Sequence, residues 1–267
     1  QLLLESGVSA IAYETVTNAK GGLPLLAPMS EVAGRMSIQA GAHHLEKAQG
    51  GRGILLGGVS GVAPGKVTII GGGVVGSHAA QVAIGMGADV TILDRSLKRL
   101  NELETKYAGR ARCVEATASS IEENALAADL VIGAVLIPGA SAPKVLTADI
   151  IKRMHTGSVV VDVAIDQGGC FETSKPTTHD KPVYILDGVV HYCVTNMPGA
   201  VARTSTLALN NATLPFVSEI ADKGFKQALR ENSGLRNGLN VSLGKVTHPA
   251  VAEALGYQYI DPATALE

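Results

Sequence analysis

The run Val67-Thr68-Ile69-Ile70-Gly71-Gly72-Gly73-Val74-Val75-Gly76 constrains this chain more than any other. A β-branched apolar stretch breaks on G-x-G-x-x-G and passes into a helical pattern, and Asp94 closes the next apolar run. A strand that turns on glycine into a helix leaves backbone N–H groups aimed at an anion. Gly71 is expected to permit the tight turn, Gly73 to let a pyrophosphate reach the backbone, and Gly76 to let helix and strand pack closely. Val74 and Val75 complete this cradle. Asp94 can bind both ribose hydroxyls of a dinucleotide, which favours NAD over NADP. The adjacent Arg95 can pair with a 2′-phosphate, so the preference is not absolute. Glycines cluster in many loops, and the weight here comes from context: strand before, helix after, acid at the next strand end.

The rest of the chain is ordered around that turn. Strands are expected at 67–70, 90–93, 111–115, 129–135 and 158–164, with two short runs at 183–186 and 191–194. Helices are expected at 76–86, 96–107, 120–127 and 147–154. Strands separated by helical segments imply right-handed βαβ units and a parallel sheet. Hydrophobic residues make up 46% of the chain, yet aromatics are 3% and Trp is absent, so small and branched aliphatics must fill the core. That balance suits a parallel sheet covered on both faces. Upstream, 8–16 reads as a buried strand, and Ser30 as the N-cap of a helix to about Gln49. Ile54-Leu55-Leu56 reads as a short strand or hairpin. Residues 199–255 look helical throughout. The expected fold is α/β, a Rossmann-type doubly wound parallel sheet plus part of a second α/β substrate domain. The expected domains are 1–24 (remnant of the substrate domain), 25–202 (nucleotide-binding) and 203–267 (helical part of the substrate domain).

Several function classes are disfavoured. The net charge is −2 with no basic stripe, which argues against nucleic acid. No apolar run approaches the roughly 18–20 residues of a membrane span. Cys113, Cys170 and Cys193 are an odd set without metal spacing, which points to a reduced, cytoplasmic setting and to no metal. The chain opens at Gln1 with a segment resembling the end of a helix and no signal peptide, so a preceding N-terminal part is expected to be missing.

Ligands of doubly wound sheets bind beyond strand C-termini. Three such ends are candidates for the nicotinamide half of the crevice: Val135-Leu136 onward, Val163 to Gly169, and Asn196-Met197-Pro198. Asp166 ends an apolar run and precedes Gly168-Gly169. It can orient an acid–base group or hold a cationic amine, or it can simply cap a turn. None of His43, His44, His78, His155, His179, His191 or His248 is marked as a proton shuttle; His191 is expected to be partly buried.

Three runs resemble alanine dehydrogenase: Ala134 to Lys144; Val161-Asp162-Val163-Ala164-Ile165-Asp166-Gln167-Gly168-Gly169-Cys170-Phe171-Glu172, continuing to Thr178; and His191 to Val201. The similarity covers essentially the whole chain. It implies NAD-dependent, reversible oxidative deamination of L-alanine to pyruvate and ammonium, in a homo-oligomer, commonly a hexamer. By resemblance, the catalytic aspartate falls on Asp166 and the adenosine-binding acid on Asp94. A cofactor-side serine falls on Ser30, and basic positions on Arg99 and Lys175. The nicotinamide-side loops fall on Val163-Ala164-Ile165-Asp166 and Val194-Thr195-Asn196-Met197. The family's catalytic histidine and its substrate-gripping arginine and lysine lie upstream of the segment resembling Gln1. A transhydrogenase-like NAD(H)-binding domain, a non-catalytic NAD(H)-binding fragment, and a dehydrogenase for another amino acid are the alternatives.

Overall fold

Strand and helix alternate from Lys66 onward, as the apolar pattern requires. The computed structural model describes residues 1–135 and 142–266. The chain divides into two units, Ser30–Val201 and a second one made of Gln1–Met29 with Ala202–Glu267. The chain begins with helix α1 (Leu2–Glu5) and strand β1 (Ala10–Ile11). The strand expected over 8–16 is only two residues long. After it the Thr15 amide turns back to the Ala12 carbonyl at 3.0 Å, closing a 3-10 turn at Tyr13–Thr15. Helix α2 (Ala27–His44) starts before Ser30, which therefore lies in its first turn and is not its N-cap. Pro28 explains the early start: a first-turn residue needs no N–H, and the fixed φ of proline suits the helix. Ile54-Leu55-Leu56 forms no strand; an isolated antiparallel bridge joins Val59 to Val62 beyond it.

The nucleotide-fold elements follow in order: β2 (Lys66–Ile70), α3 (Val74–Gly85), β3 (Asp89–Asp94), α4 (Leu97–Tyr107), β4 (Arg112–Glu115), α5 (Ala118–Ala127), β5 (Leu130–Gly133), α6 (Ala148–Arg153), β6 (Val159–Asp162), β7 (Val183–Leu186) and β8 (Val189–Tyr192). They form one sheet ordered β4-β3-β2-β5-β6-β8-β7. It is parallel except at the edge, where β7 runs antiparallel to β8. The all-parallel expectation fails there because Asp187 (φ +49°) and Gly188 (φ +79°) close a two-residue hairpin. Period-2 alternation sends neighbours to opposite faces. Ile70, Leu93, Val131 and Val160 join the core under α5 and α6. Leu130 faces the other way, where a Cβ at Gly41 of α2 would strike it, and Ile69 lies against Gly76 of α3. Helices thus cover both faces, which makes the sheet doubly wound. Thr117 and Ser120 form a reciprocal capping box at α5, and Ser96 and Thr147 cap α4 and α6.

The second unit continues with α7 (Ala202–Lys223), α8 (Phe225–Glu231), α9 (Ser233–Asn237), β9 (Leu239–Ser242), β10 (Lys245–Val246) and α10 (Pro249–Leu255). The expectation of helix throughout 199–255 is corrected by β9 and β10. With β1 they make a three-stranded antiparallel sheet ordered β1-β9-β10. Its core gathers Val16, Leu25, Leu229, Leu235, Leu239 and Leu266. Among the described residues no helix is long and apolar enough to cross a membrane.

Candidate functional site

The order of the sheet reverses at β2, whose neighbours are β3 on one side and β5 on the other. Ligand crevices of open α/β sheets form at such a switch point, beyond the strand C-termini. Gly71 stands there with φ +103°, and a Cβ on it would meet the Ala134 carbonyl oxygen at 2.5 Å. A Cβ on Gly76 would collide with the Gly71 carbonyl, so the first turn of α3 packs directly on the glycine loop. Gly73 differs: its φ is −65° and a Cβ there would meet nothing within 4 Å. The empty space lies at the N-terminus of α3, where a phosphate would use it. Val74 and Val75 begin that helix, and Val74 is exposed.

Asp94 is aligned by the loop it faces. Its Oδ2 accepts from the Gly72 amide at 2.7 Å and its Oδ1 from the Ser96 amide at 2.8 Å. Arg99 donates from Nε to the Gly72 carbonyl at 2.7 Å and pairs with Glu102 at 2.8 Å. Both peptide groups of Gly72 are therefore held by side chains of the β3–α4 corner. An acceptor-only carboxylate set beside an open glycine loop fits the ribose and pyrophosphate of a dinucleotide.

The other rim segments adjoin this cradle. The Val163 amide donates to Gly133 at 3.0 Å, tying the end of β6 to the end of β5. Val135 packs partly buried against the core. Leu136, expected to contact cofactor, lies outside the described residues. Strand β6 ends at Asp162, two residues earlier than expected, and a 3-10 turn at Ile165–Gln167 carries Asp166. The early end has a cause in Asp162, which is fully buried. Its Oδ1 accepts from the Ala164 amide at 3.0 Å, and its Oδ2 from the Cys170 and Phe171 amides at 2.8 and 3.2 Å and from Ser174 Oγ at 2.5 Å. The carboxylate takes over hydrogen bonds that a continuing strand would have made.

Asp166 itself is exposed, and its Oδ1 faces the Asn196 amide at 3.4 Å. Asn196 adopts φ +52°, and its carbonyl meets His179 Nε2 at 3.2 Å. Segments 163–166 and 194–197 are thereby brought together, with Val194 and Met197 buried beneath. Lys175 is anchored by its amide to the Tyr184 hydroxyl at 2.9 Å, and the residue is exposed. Ser30 lies half-buried in α2 beside Glu31, whose carboxylate reaches within 3.8 Å of His78 of α3.

His191 is fully buried, not partly as expected. Its Nδ1 lies 3.0 Å from the Val189 carbonyl and so carries the proton, leaving Nε2 to accept from Thr173 Oγ1 at 2.8 Å. Burial lowers its pKa, and the ring is a structural, neutral imidazole. Burial raises the pKa of the Cys170 and Cys193 thiols and keeps them protonated. The sequence reading missed Asp162, Ser174 and Lys144 as supports of the Asp166 turn. The available signal was an acid at the end of Val159-Val160-Val161, since a buried carboxylate requires partners.

A glycine loop between β2 and α3, an acid at the end of β3 and a doubly wound sheet define a Rossmann-type, nucleotide-binding protein. The profile of the "Alanine dehydrogenase/PNT, C-terminal domain" family matches residues 37–249. The chain is 63% identical to alanine dehydrogenase of Halomonas elongata over 99% of its own length and 71% of that protein. It is 57% identical to alanine dehydrogenase 2 of Staphylococcus aureus, over 100% of its length and 72% of that protein. A solved L-alanine dehydrogenase superposes with TM-score 0.92 at 53% identity, covering 95% of this chain and 70% of that one. A transhydrogenase from Sinorhizobium meliloti shares the fold, with TM-score 0.76 at 23% identity over 93% of this chain and 68% of that one. The chain belongs to the alanine dehydrogenase/PNT C-terminal domain family.

Proposed function

We propose that this chain carries the nucleotide site and a catalytic carboxylate of an NAD-dependent alanine dehydrogenase, which interconverts L-alanine with pyruvate and ammonium. The observation that carries the reading is one of placement. The glycine cradle after β2, with Asp94 at the end of the neighbouring β3, and the turn with Asp166 after β6 stand at the C-terminal edge of one sheet, with β5 between β2 and β6. The relatives named alanine dehydrogenase support the choice of substrate. In this reading the adenine ribose is held by Asp94 and the pyrophosphate by the loop Gly71 to Gly76. Arg99 braces that loop through Gly72, and Ser30 and Lys175 flank the cofactor. Val135, Val163, Ala164, Ile165, Val194, Thr195, Asn196 and Met197 line its nicotinamide half. NAD, when bound, supplies the hydride acceptor for oxidation of the substrate Cα.

Asp166 then orients the amine, or the water that releases ammonium. Its Oδ1 accepts from the Asn196 amide at 3.4 Å, and the exposed carboxyl keeps further acceptor capacity for that task. The neutral, buried His191 moves no proton in this scheme. By resemblance, the assembly is a cytoplasmic homohexamer, which sedimentation equilibrium would test.

The test is alanine-dependent NADH formation, followed by absorbance in the natural full-length protein. Asp166→Asn is expected to lower kcat by about a hundredfold or more while the NADH dissociation constant stays within about twofold. Unchanged turnover would remove Asp166 from the chemistry. Tight NADH binding by the parent with no alanine oxidation would favour the transhydrogenase-like alternative.

A further inference from the structure

We propose that Lys144 is a positioning residue for Asp166, acting through the turn that carries it; the proposal rests on the catalytic reading of Asp166 above. The turn from Val163 to Ser174 is held from two sides. Beneath it, buried Asp162 collects the Ala164, Cys170 and Phe171 amides and the Ser174 hydroxyl. On the solvent side, Lys144 Nζ donates to the carbonyls of Gly168 at 2.6 Å and Gly169 at 2.8 Å. Those carbonyls directly follow the 3-10 turn Ile165–Gln167.

The backbone around Lys144 is itself fixed against this loop. The Ala142 amide donates to Gln167 at 3.2 Å, the Val145 amide to Cys170 at 2.8 Å, and Leu146 bridges to Phe171. The lysine therefore reaches the two carbonyls from a set position. Gly168 (φ +88°) and Gly169 (φ +74°) are both in the left-handed region, so the backbone just after Asp166 has a glycine's freedom. An ammonium bridging both carbonyls removes that freedom where it would misplace Asp166. Ammonium–carbonyl bonds are charge-assisted, and a cation suits the C-terminal end of a helical turn.

Asp162 and Lys144 thus divide the work. Loss of Asp162 would leave buried amides unpaired and endanger the fold. Loss of Lys144 leaves the inner anchor intact, hands the carbonyl of exposed Gly168 to water and takes the charged donor from the carbonyl of buried Gly169, so the fold survives while the turn loosens. A displacement of about 1 Å at a reacting group can cost on the order of a hundredfold in rate. Cofactor affinity, set mainly at the glycine loop and Asp94 with segment 163–165 as a lesser contact, changes little.

The experiment compares Lys144→Met, Lys144→Arg, Asp166→Asn and the Lys144→Met/Asp166→Asn double variant in the natural full-length protein, measuring alanine oxidation and NADH affinity. Lys144→Met is expected to lower kcat by about tenfold or more with the NADH dissociation constant within about twofold, and Lys144→Arg to recover most of the loss. If Lys144 acts through Asp166, Lys144→Met changes residual turnover in the Asp166→Asn background by less than about twofold. Parental turnover by Lys144→Met beside a crippled Asp166→Asn would overturn this proposal alone. An equal fall caused by Lys144→Met in both backgrounds would also overturn it. Parental turnover by Asp166→Asn would overturn the reading of Asp166, and this proposal with it.

Discussion

The glycines of one motif separate stability from binding. Gly71 is held at φ +103° with the Ala134 carbonyl against it, and Gly76 is pressed onto the Gly71 carbonyl; neither place admits a side chain. Gly73 has an ordinary φ of −65° and free space where a methyl would stand. Gly73→Ala should therefore leave the melting temperature within about 2 °C of the parent and weaken NADH binding by about tenfold or more, since the methyl occupies the phosphate's place. Gly76→Ala should lower the melting temperature by several degrees, as overpacking costs about 1–3 kcal/mol. Differential scanning fluorimetry beside an NADH titration reads both, and a Gly73→Ala protein that binds NADH normally would empty the cradle of its assigned role. These residues were legible because each glycine answers a local demand of the strand–turn–helix. Asp162 was less so: an acid closing an apolar run signals a buried carboxylate in need of partners, but the amides of Ala164, Cys170 and Phe171 that supply them are set by the turn that follows and not by a local pattern.

Two hairpins show why some elements could be read and others not. Asp187-Gly188 joins β7 to β8 with both residues at positive φ, and Asp-Gly is a favoured pair for that turn. The two short strands beside it were legible as apolar runs. Leu243-Gly244 joins β9 to β10 with the same signs, φ +48° and +79°, but a leucine occupies a position that favours Asn, Asp or Gly. The local signal was missing, and the partner of β9 on its other side is β1, more than two hundred residues away. No local pattern announces that pairing. The left-handed region costs an L side chain roughly 1–2 kcal/mol, and Asn tolerates it better. Leu243 is 65% exposed, so little packing is lost on replacing it. Leu243→Asn should raise the melting temperature of the unit containing β9 and β10 by about 2–4 °C, read by thermal denaturation; a fall would show that the leucine is needed there.

Four histidines share one electrostatic trend, in which burial disfavours the charged ring. His44, His78, His191 and His248 all have pKa values lowered from 6.5, with desolvation the largest cause in each. His44, His78 and His248 also bury an Nδ1 that has no hydrogen-bond partner among the described residues. A second proton on those rings would sit on a buried Nδ1 without an acceptor, a cost that Glu46 beside His44 and Glu31 beside His78 offset only in part. A folded-state pKa below the unfolded value means that the unfolded chain binds more protons as the medium turns acidic. The contribution of these rings to stability is then complete above pH 6.5 and is lost as pH falls through and below that value. Each proton taken up by the unfolded state alone costs about 1.4 kcal/mol per pH unit. His191 is the clearest case, because its ring already makes both of its hydrogen bonds in the neutral form. Melting temperature should change little from pH 7.5 to about 7 and then fall increasingly steeply to pH 5.5, above the range in which carboxylates titrate. His191→Gln should be less stable at pH 7.5 but show a shallower fall, since one proton-binding site has gone from the unfolded chain. A parent whose melting temperature stays flat or rises on acidification would show that these rings accept protons in the folded protein.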